Sequence, residues 1–440
     1  MLVDKVFSAS NGYRLLFFTL TALVALAFLL PSSTTQPVIR VAFVGNSITF
    51  VNDLPRFVQA LGGNHYIEQD SCLHGGLSFL SMTYKGNGMY LKWKTKKALL
   101  QGDKDNDPIY DFGACSVPQL LLGHDEEFYY ENSGKFSDGK NPCTANPSYL
   151  EYRESLYNSN ASLEQQQQQQ PMTWDFVVLN DQSRYPLTYE KRGKSLMALY
   201  EIYAPLFNTV QATAVLLVTY AYVAQSPQYA DDDNAGWKKF TPTDTEDDMP
   251  YMTSLLYYGY QEYEQVLAKS GVPVRLAQVG LAFLTVWEED RELWRRLFFY
   301  DGLHPSPLGT YLEGCVVYST IRQQLPPMSL RIEKVSRLWD RARRMHLGSY
   351  KKYIPEEEYS TLIPMALPTR DEARFLSNVC RRVALKGYLP PSLWSIDQLD
   401  ETFYSNYPDA DDASFAEYFI EDYYGDDYYV DDDDAAFWWN

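Results

Sequence analysis

Apolar positions along the chain follow two periods. Five short, mainly apolar runs, at residues 38–44, 66–69, Phe176–Leu179, 215–220 and 274–279, are bounded by polar or turn-forming residues. Runs of that length read as strands buried on both faces. Between them apolar residues recur at helical spacing. Leu54, Phe57, Val58 and Leu61 form one such face, with Pro55 suited to a first helical turn. Residues 195–210 and 252–269 carry two more. In the last, Ser306 is placed to cap and Pro307 to open the helix, while Leu308, Tyr311, Leu312, Cys315 and Val316 make one apolar face. Strands alternating with helices predict an α/β fold whose parallel sheet is covered on both sides.

The pattern is interrupted at defined places. Residues 102–170 form a long Tyr- and Asn-rich insertion ending in six glutamines, and 230–249 is an acidic loop. Long loops in α/β folds often carry specificity, so both are expected near a site. Residues 15–30 are apolar apart from two threonines, with Lys5 and Arg14 before them. The run is short for a membrane span and long for the apolar part of a signal peptide. Two readings follow: a cleaved signal peptide, or a single N-terminal membrane anchor. Either sends residues 1–35 into the secretory pathway, leaving the rest secreted or anchored with its domain lumenal or extracellular. The expected layout is a domain at 36–325, a basic helical extension at 326–396 and an acidic, aromatic-rich tail at 397–440, predicted to be disordered.

Charge sharpens this layout. Of the formal net charge of −19, 15 acidic residues lie in the tail, which has no Lys or Arg, so the first 396 residues carry only −4. A nucleic-acid surface needs clustered positive charge and is excluded as a partner site. Five cysteines match no zinc spacing; Cys115 and Cys143 are candidates for a disulfide. Asn160 opens the sequon Asn160-Ala161-Ser162 and is the glycosylation candidate.

Two segments carry candidate chemistry. The first strand runs into Gly45-Asn46-Ser47-Ile48-Thr49, placing Ser47 at the carboxyl edge of the sheet, where open α/β folds bind ligands. Far downstream, Asp301-Gly302-Leu303-His304-Pro305 precedes the capped helix. The spacing lets Asp301 hold one ring nitrogen of His304 and leaves the other to take a proton from a serine hydroxyl.

With these blocks the sequence resembles the SGNH/GDSL-type hydrolase superfamily, over roughly residues 38–324. The first family block, Gly-Asp-Ser-(Leu/Ile), corresponds to Gly45-Asn46-Ser47-Ile48, with Asn46 in place of the aspartate. The last, Asp-x-x-His-Pro, corresponds to Asp301 to Pro305. The resemblance implies a catalytic Ser47, Asp301 and His304 and an oxyanion hole from Ser47, Gly76 (or Gly75) and Asn180 (or Asp181 or Gln182). The block before Asn180 departs from the family's Gly-x, reading Val178-Leu179. The implied fold is a flavodoxin-like three-layer sandwich with a mostly five-stranded parallel sheet.

The expected activity is hydrolysis of O-acyl esters through an acyl-enzyme, with no metal and no cofactor. The expected partner is an acylated small molecule or glycan. Two alternatives stand beside it: acyl transfer from the same intermediate to a sugar, or a surface binding protein on the same fold. The protein partner of the acidic tail is not readable.

Overall fold

A computed structural model describes residues 37–63, 66–85, 117–122, 174–222, 246–299, 302–327, 329 and 368–399. Residues 15–30, Cys115, Cys143, Asn160, the glutamine run and Asp301 lie outside the described residues, as do the basic stretch at 330–352 and the tail beyond Leu399.

Five strands form one parallel sheet: β1 (Ile39–Gly45), β2 (Ile67–Leu73), β3 (Phe176–Leu179), β4 (Thr213–Leu217) and β5 (Val274–Ala277), in the order β2-β1-β3-β4-β5. The mainly apolar runs explain why the sheet is buried twice over. Alternate side chains of a strand point to opposite faces. Val41, Phe43, Val178, Val215 and Leu217 enter one core. Ala42, Val44, Val177, Leu179, Ala214 and Leu216 enter the other. The first core is closed by α2 (Leu54–Leu61), α8 (Val279–Glu289), α10 (Pro307–Arg322) and α11 (Arg370–Cys380). The second is closed by α3 (Phe79–Lys85), α4 (Val117–Leu122), α5 (Tyr189–Ala198) and α6 (Ala204–Val210). α7 (Met249–Lys269) serves both, with Met252 and Leu256 in the first core and Tyr260 and Tyr263 in the second. This is a mixed α/β sandwich on a parallel sheet. Two short helices, α1 (Ser47–Phe50) and α9 (Arg291–Arg295), complete the set.

Element bounds differ from the sequence pattern where polar contacts intervene. The 274–279 run does not stay extended to its end: Gly280 N–H donates to the Val218 carbonyl at 3.0 Å, and Val279 opens α8. The strand expected at 66–69 runs on to Leu73, paired throughout with β1. The loop expected at 230–249 ends early, because Met249 is already the first residue of α7.

The N-terminal membrane anchor, and the membrane-anchored location drawn from it, require correction. Among the described residues no helix is long and apolar enough to cross a membrane. A span needs about 20 apolar residues in one helix. The longest described helix, α7 at 21 residues, carries Gln261, Glu262, Glu264 and Gln265 in its second half.

Glu313 departs from the pattern of satisfied polar groups with a whole carboxyl. Glu313 of α10 is fully buried, and neither carboxyl oxygen has a hydrogen-bond partner. Burial pushes its carboxyl well above the usual carboxylate range. Its folded-state pKa is raised, so stability is lost as pH rises from the ordinary glutamate range towards that value. Glu313→Met, close in volume, is therefore expected to stabilise the fold by about 1–3 kcal/mol at neutral pH. Urea unfolding at two pH values checks this, with the advantage narrowing in acid.

Candidate active site

β1 ends at Gly45 because nothing larger fits. A Cβ there would lie 2.7 Å from Thr49 Oγ1 and 3.0 Å from Asn180 Cβ, so only glycine lets the exits of β1 and β3 meet this closely. Asn46 follows in extended conformation and caps α1, its Oδ1 accepting from Ile48 N–H at 3.1 Å. Its Nδ2 donates to the Leu77 carbonyl at 3.2 Å. A carboxylate could accept the first bond but not donate the second. Asparagine therefore ties the Ser47 turn to the loop after β2. Ser47 itself is the first residue of α1 and is half-buried.

The β2 exit is held beside this turn. His74 N–H donates to the Gly45 carbonyl at 3.0 Å, extending the β1–β2 ladder by one residue. Gly75 is half-buried; Gly76 is exposed, with φ of +72°, and open space lies where a side chain would be. Positive φ at an exposed turn accounts for a glycine there.

Asn180 is fully buried at the end of β3. Its N–H donates to the Val44 carbonyl at 3.0 Å. Its side chain reaches the Ser47 turn, Oδ1 accepting a long 3.5 Å bond from Asn46 N–H, while Nδ2 donates to the Asp181 carbonyl at 3.1 Å.

Beneath these loops sits the Asp181 carboxylate, fully buried. It accepts from Phe79 N–H at 2.9 Å, Gln182 N–H at 2.9 Å, Ser195 Oγ at 2.6 Å and Tyr263 Oη at 2.9 Å. Burial pushes its carboxyl up to about 6, against the opposing pull of these hydrogen bonds. Its own N–H donates to Tyr260 Oη at 3.3 Å. Gln182 is half-buried, its Oε1 accepting from Arg184 N–H at 2.8 Å.

His304 is nearly fully buried, on the loop that leads into α10. Its carbonyl accepts from Phe299 N–H at 2.9 Å. The neighbouring Leu303 carbonyl accepts from Tyr220 Oη at 3.1 Å, fastening the loop to the exit of β4. Ser306 Oγ accepts from Gly309 N–H at 3.2 Å and so caps α10. A further tie joins this loop to the Ser47 turn: Asn52 Nδ2 donates to the Pro305 carbonyl at 2.8 Å. The loops bearing Ser47, Gly76 and Asn180 thus converge at the carboxyl ends of β1, β2 and β3. Asn52 and Tyr220 link the His304 loop to this edge.

Sequence reasoning missed Asn52 and assigned no buried role to Asp181. An asparagine three residues before Pro55 signals a turn, but nothing local shows what its amide grips. Among the described residues no group of three or more His, Cys, Asp or Glu could hold a metal.

The chain matches no family model and no curated protein. Among solved structures it is similar to a DUF4886 family protein from Bacteroides uniformis. The identity is 12%, the TM-score 0.38, with 82% of this chain and 100% of that one covered. A likeness at that level carries no argument about fold or function.

Asp181 gives a pH prediction. Its folded pKa lies above the ordinary aspartate value, so its contribution is fully present below about pH 4 and is lost as pH rises through about 6. Relative to Asp181→Asn, which cannot titrate, the native protein is expected to lose roughly 3 kcal/mol across that interval. Parallel denaturant titrations at pH 4, 5, 6 and 7 measure the difference.

Proposed function

We propose that this protein is a serine esterase hydrolysing O-acyl esters, with Ser47 as nucleophile and His304 as general base. One observation carries the reading. Asn46, Leu77 and Asn180, from three separate segments, are hydrogen-bonded together around the Ser47 turn, and Asn52 joins that turn to the residue after His304. The strand order supports the finer, flavodoxin-like assignment. In that arrangement ligands sit outside the carboxyl ends of the strands at the β1/β3 switch point, where Ser47 and Asn180 lie.

The chemistry follows from the groups. Ser47 Oγ attacks the ester carbonyl and passes its proton to the His304 imidazole. Asp301 orients that ring and stabilises the imidazolium. The backbone N–H groups of Ser47 and Gly76 and the Asn180 amide stabilise the tetrahedral oxyanion. The bond from Asn180 Nδ2 to the Asp181 carbonyl holds the amide in one orientation. His304 then protonates the departing alcohol. Water, deprotonated by the same imidazole, attacks the acyl-Ser47 carbonyl and releases the acid.

Hydrolysis of p-nitrophenyl acetate and butyrate tests the proposal, with acetylated glycans as a second panel. Turnover is expected to vanish in Ser47→Ala and His304→Ala and to fall about 10²–10³-fold in Asn180→Ala. A fluorophosphonate should label Ser47, located by mass spectrometry. Turnover that survives Ser47→Ala in the folded protein would sink the reading.

A further inference from the structure

Between α1 and α2 the chain makes a single 3-10 turn, Val51–Asp53, and Asn52 inside it is left-handed, with φ of 58° and ψ of 14°. Left-handed backbone is disfavoured for residues with a Cβ and least so for asparagine and aspartate. Asn52 is also buried, and its Oδ1 has no hydrogen-bond partner. Both features are unfavourable for folding and are tolerated where the surroundings impose them. What they secure is the direction of Nδ2. It donates to the Pro305 carbonyl at 2.8 Å and to Thr310 Oγ1 at 3.0 Å, across more than 250 residues of sequence.

The two ends of this bridge lie beside the two residues that must meet. Val51 N–H donates to the Ser47 carbonyl, so Asn52 follows the residue that closes the Ser47 turn. At the other end, consecutive carbonyls of the imidazole's loop are gripped from different segments, His304 O by Phe299 N–H and Pro305 O by Asn52. The path from Ser47 to His304 through Asn52 is one helical turn, one side chain and one residue, with hydrogen bonds from Val51 to Ser47 and from Asn52 to Pro305 and peptide bonds between. We propose that Asn52 is a positioning residue that sets the spacing between Ser47 and the His304 imidazole. The role rests on the esterase reading above.

Three variants separate positioning from mere stability. Asn52→Gly keeps the left-handed backbone without strain and removes both donors. Asn52→Asp keeps the size and turn preference but presents a carboxylate to the Pro305 carbonyl. Thr310→Val removes one acceptor and leaves the bond to Pro305. With p-nitrophenyl acetate, Asn52→Gly is expected to lower kcat about 10–100-fold with KM within about threefold, because Asn52 fixes geometry without contacting substrate. Asn52→Asp should lose at least as much, and Thr310→Val about 3–10-fold. Fluorophosphonate labelling of Ser47 should slow in the same order.

Unchanged kcat in Asn52→Gly, or wild-type kcat in Asn52→Asp, overturns the positioning role. If Asn52→Gly fails to fold, Thr310→Val reads the same bridge, and wild-type kcat there overturns it. Turnover abolished by Ser47→Ala but untouched by the bridge variants sinks this proposal alone. Absence of both turnover and label in the native protein sinks the esterase reading and this one with it.

Discussion

Four hydrogen-bond donors converge on the buried carboxylate of Asp181, and the loops above the sheet take their places from it. Phe79 N–H fixes where the chain leaves the β2 loop and enters α3. Ser195 and Tyr263 bring α5 and α7 to the same point. Gln182 N–H holds the carboxylate in the turn that follows Asn180. A desolvated charge of this kind is favourable only while all its donors stay in place. The node therefore couples elements that make no covalent continuity, and Asn180 sits one residue away from it.

Above the node, the carboxyl edge of the sheet is joined by short polar links. Asn46 both accepts and donates, Asn180 spans from β3 to the Ser47 turn, and Tyr220 ties the β4 exit to the His304 loop. Apolar packing below supplies most of the stability, since most side chains of the central strands β1, β3 and β4 are buried in one core or the other. The polar links supply little net energy but fix direction, because each unmade bond would leave a buried group unsatisfied.

The central strands β1, β3 and β4 were legible from sequence because each is a short, mainly apolar run, and two-sided burial requires such runs. α10 was legible because Ser306 and Pro307 mark its start chemically. The ends of elements were not. Nothing in residues 274–279 marks the end of β5 at Ala277, because the turn into α8 depends on the Val218 carbonyl just past β4, far away in sequence. Within the site, the Gly45-to-Thr49 and His304 segments stood out by residue type. At Asn46 the sequence shows only an amide in place of the aspartate, since its partner, Leu77, is fixed by the fold. The buried contacts of Asp181 and Asn52 were hidden for the same reason: a side chain's long-range partners are chosen by topology.

The Asn52–Pro305 bond joins residues 253 positions apart, and this separation sets a schedule for synthesis. When the Ser47 turn leaves the ribosome, its partner loop has not yet been made. At about 5–20 residues per second, the nascent chain spends roughly 13–50 seconds with Asn52 waiting for its acceptor. For about the first half of that interval β1 lacks β3, its neighbour on one edge, and for all of it the core lacks α10. The bond that links the two halves of the site can therefore form only after most of the sheet has been made.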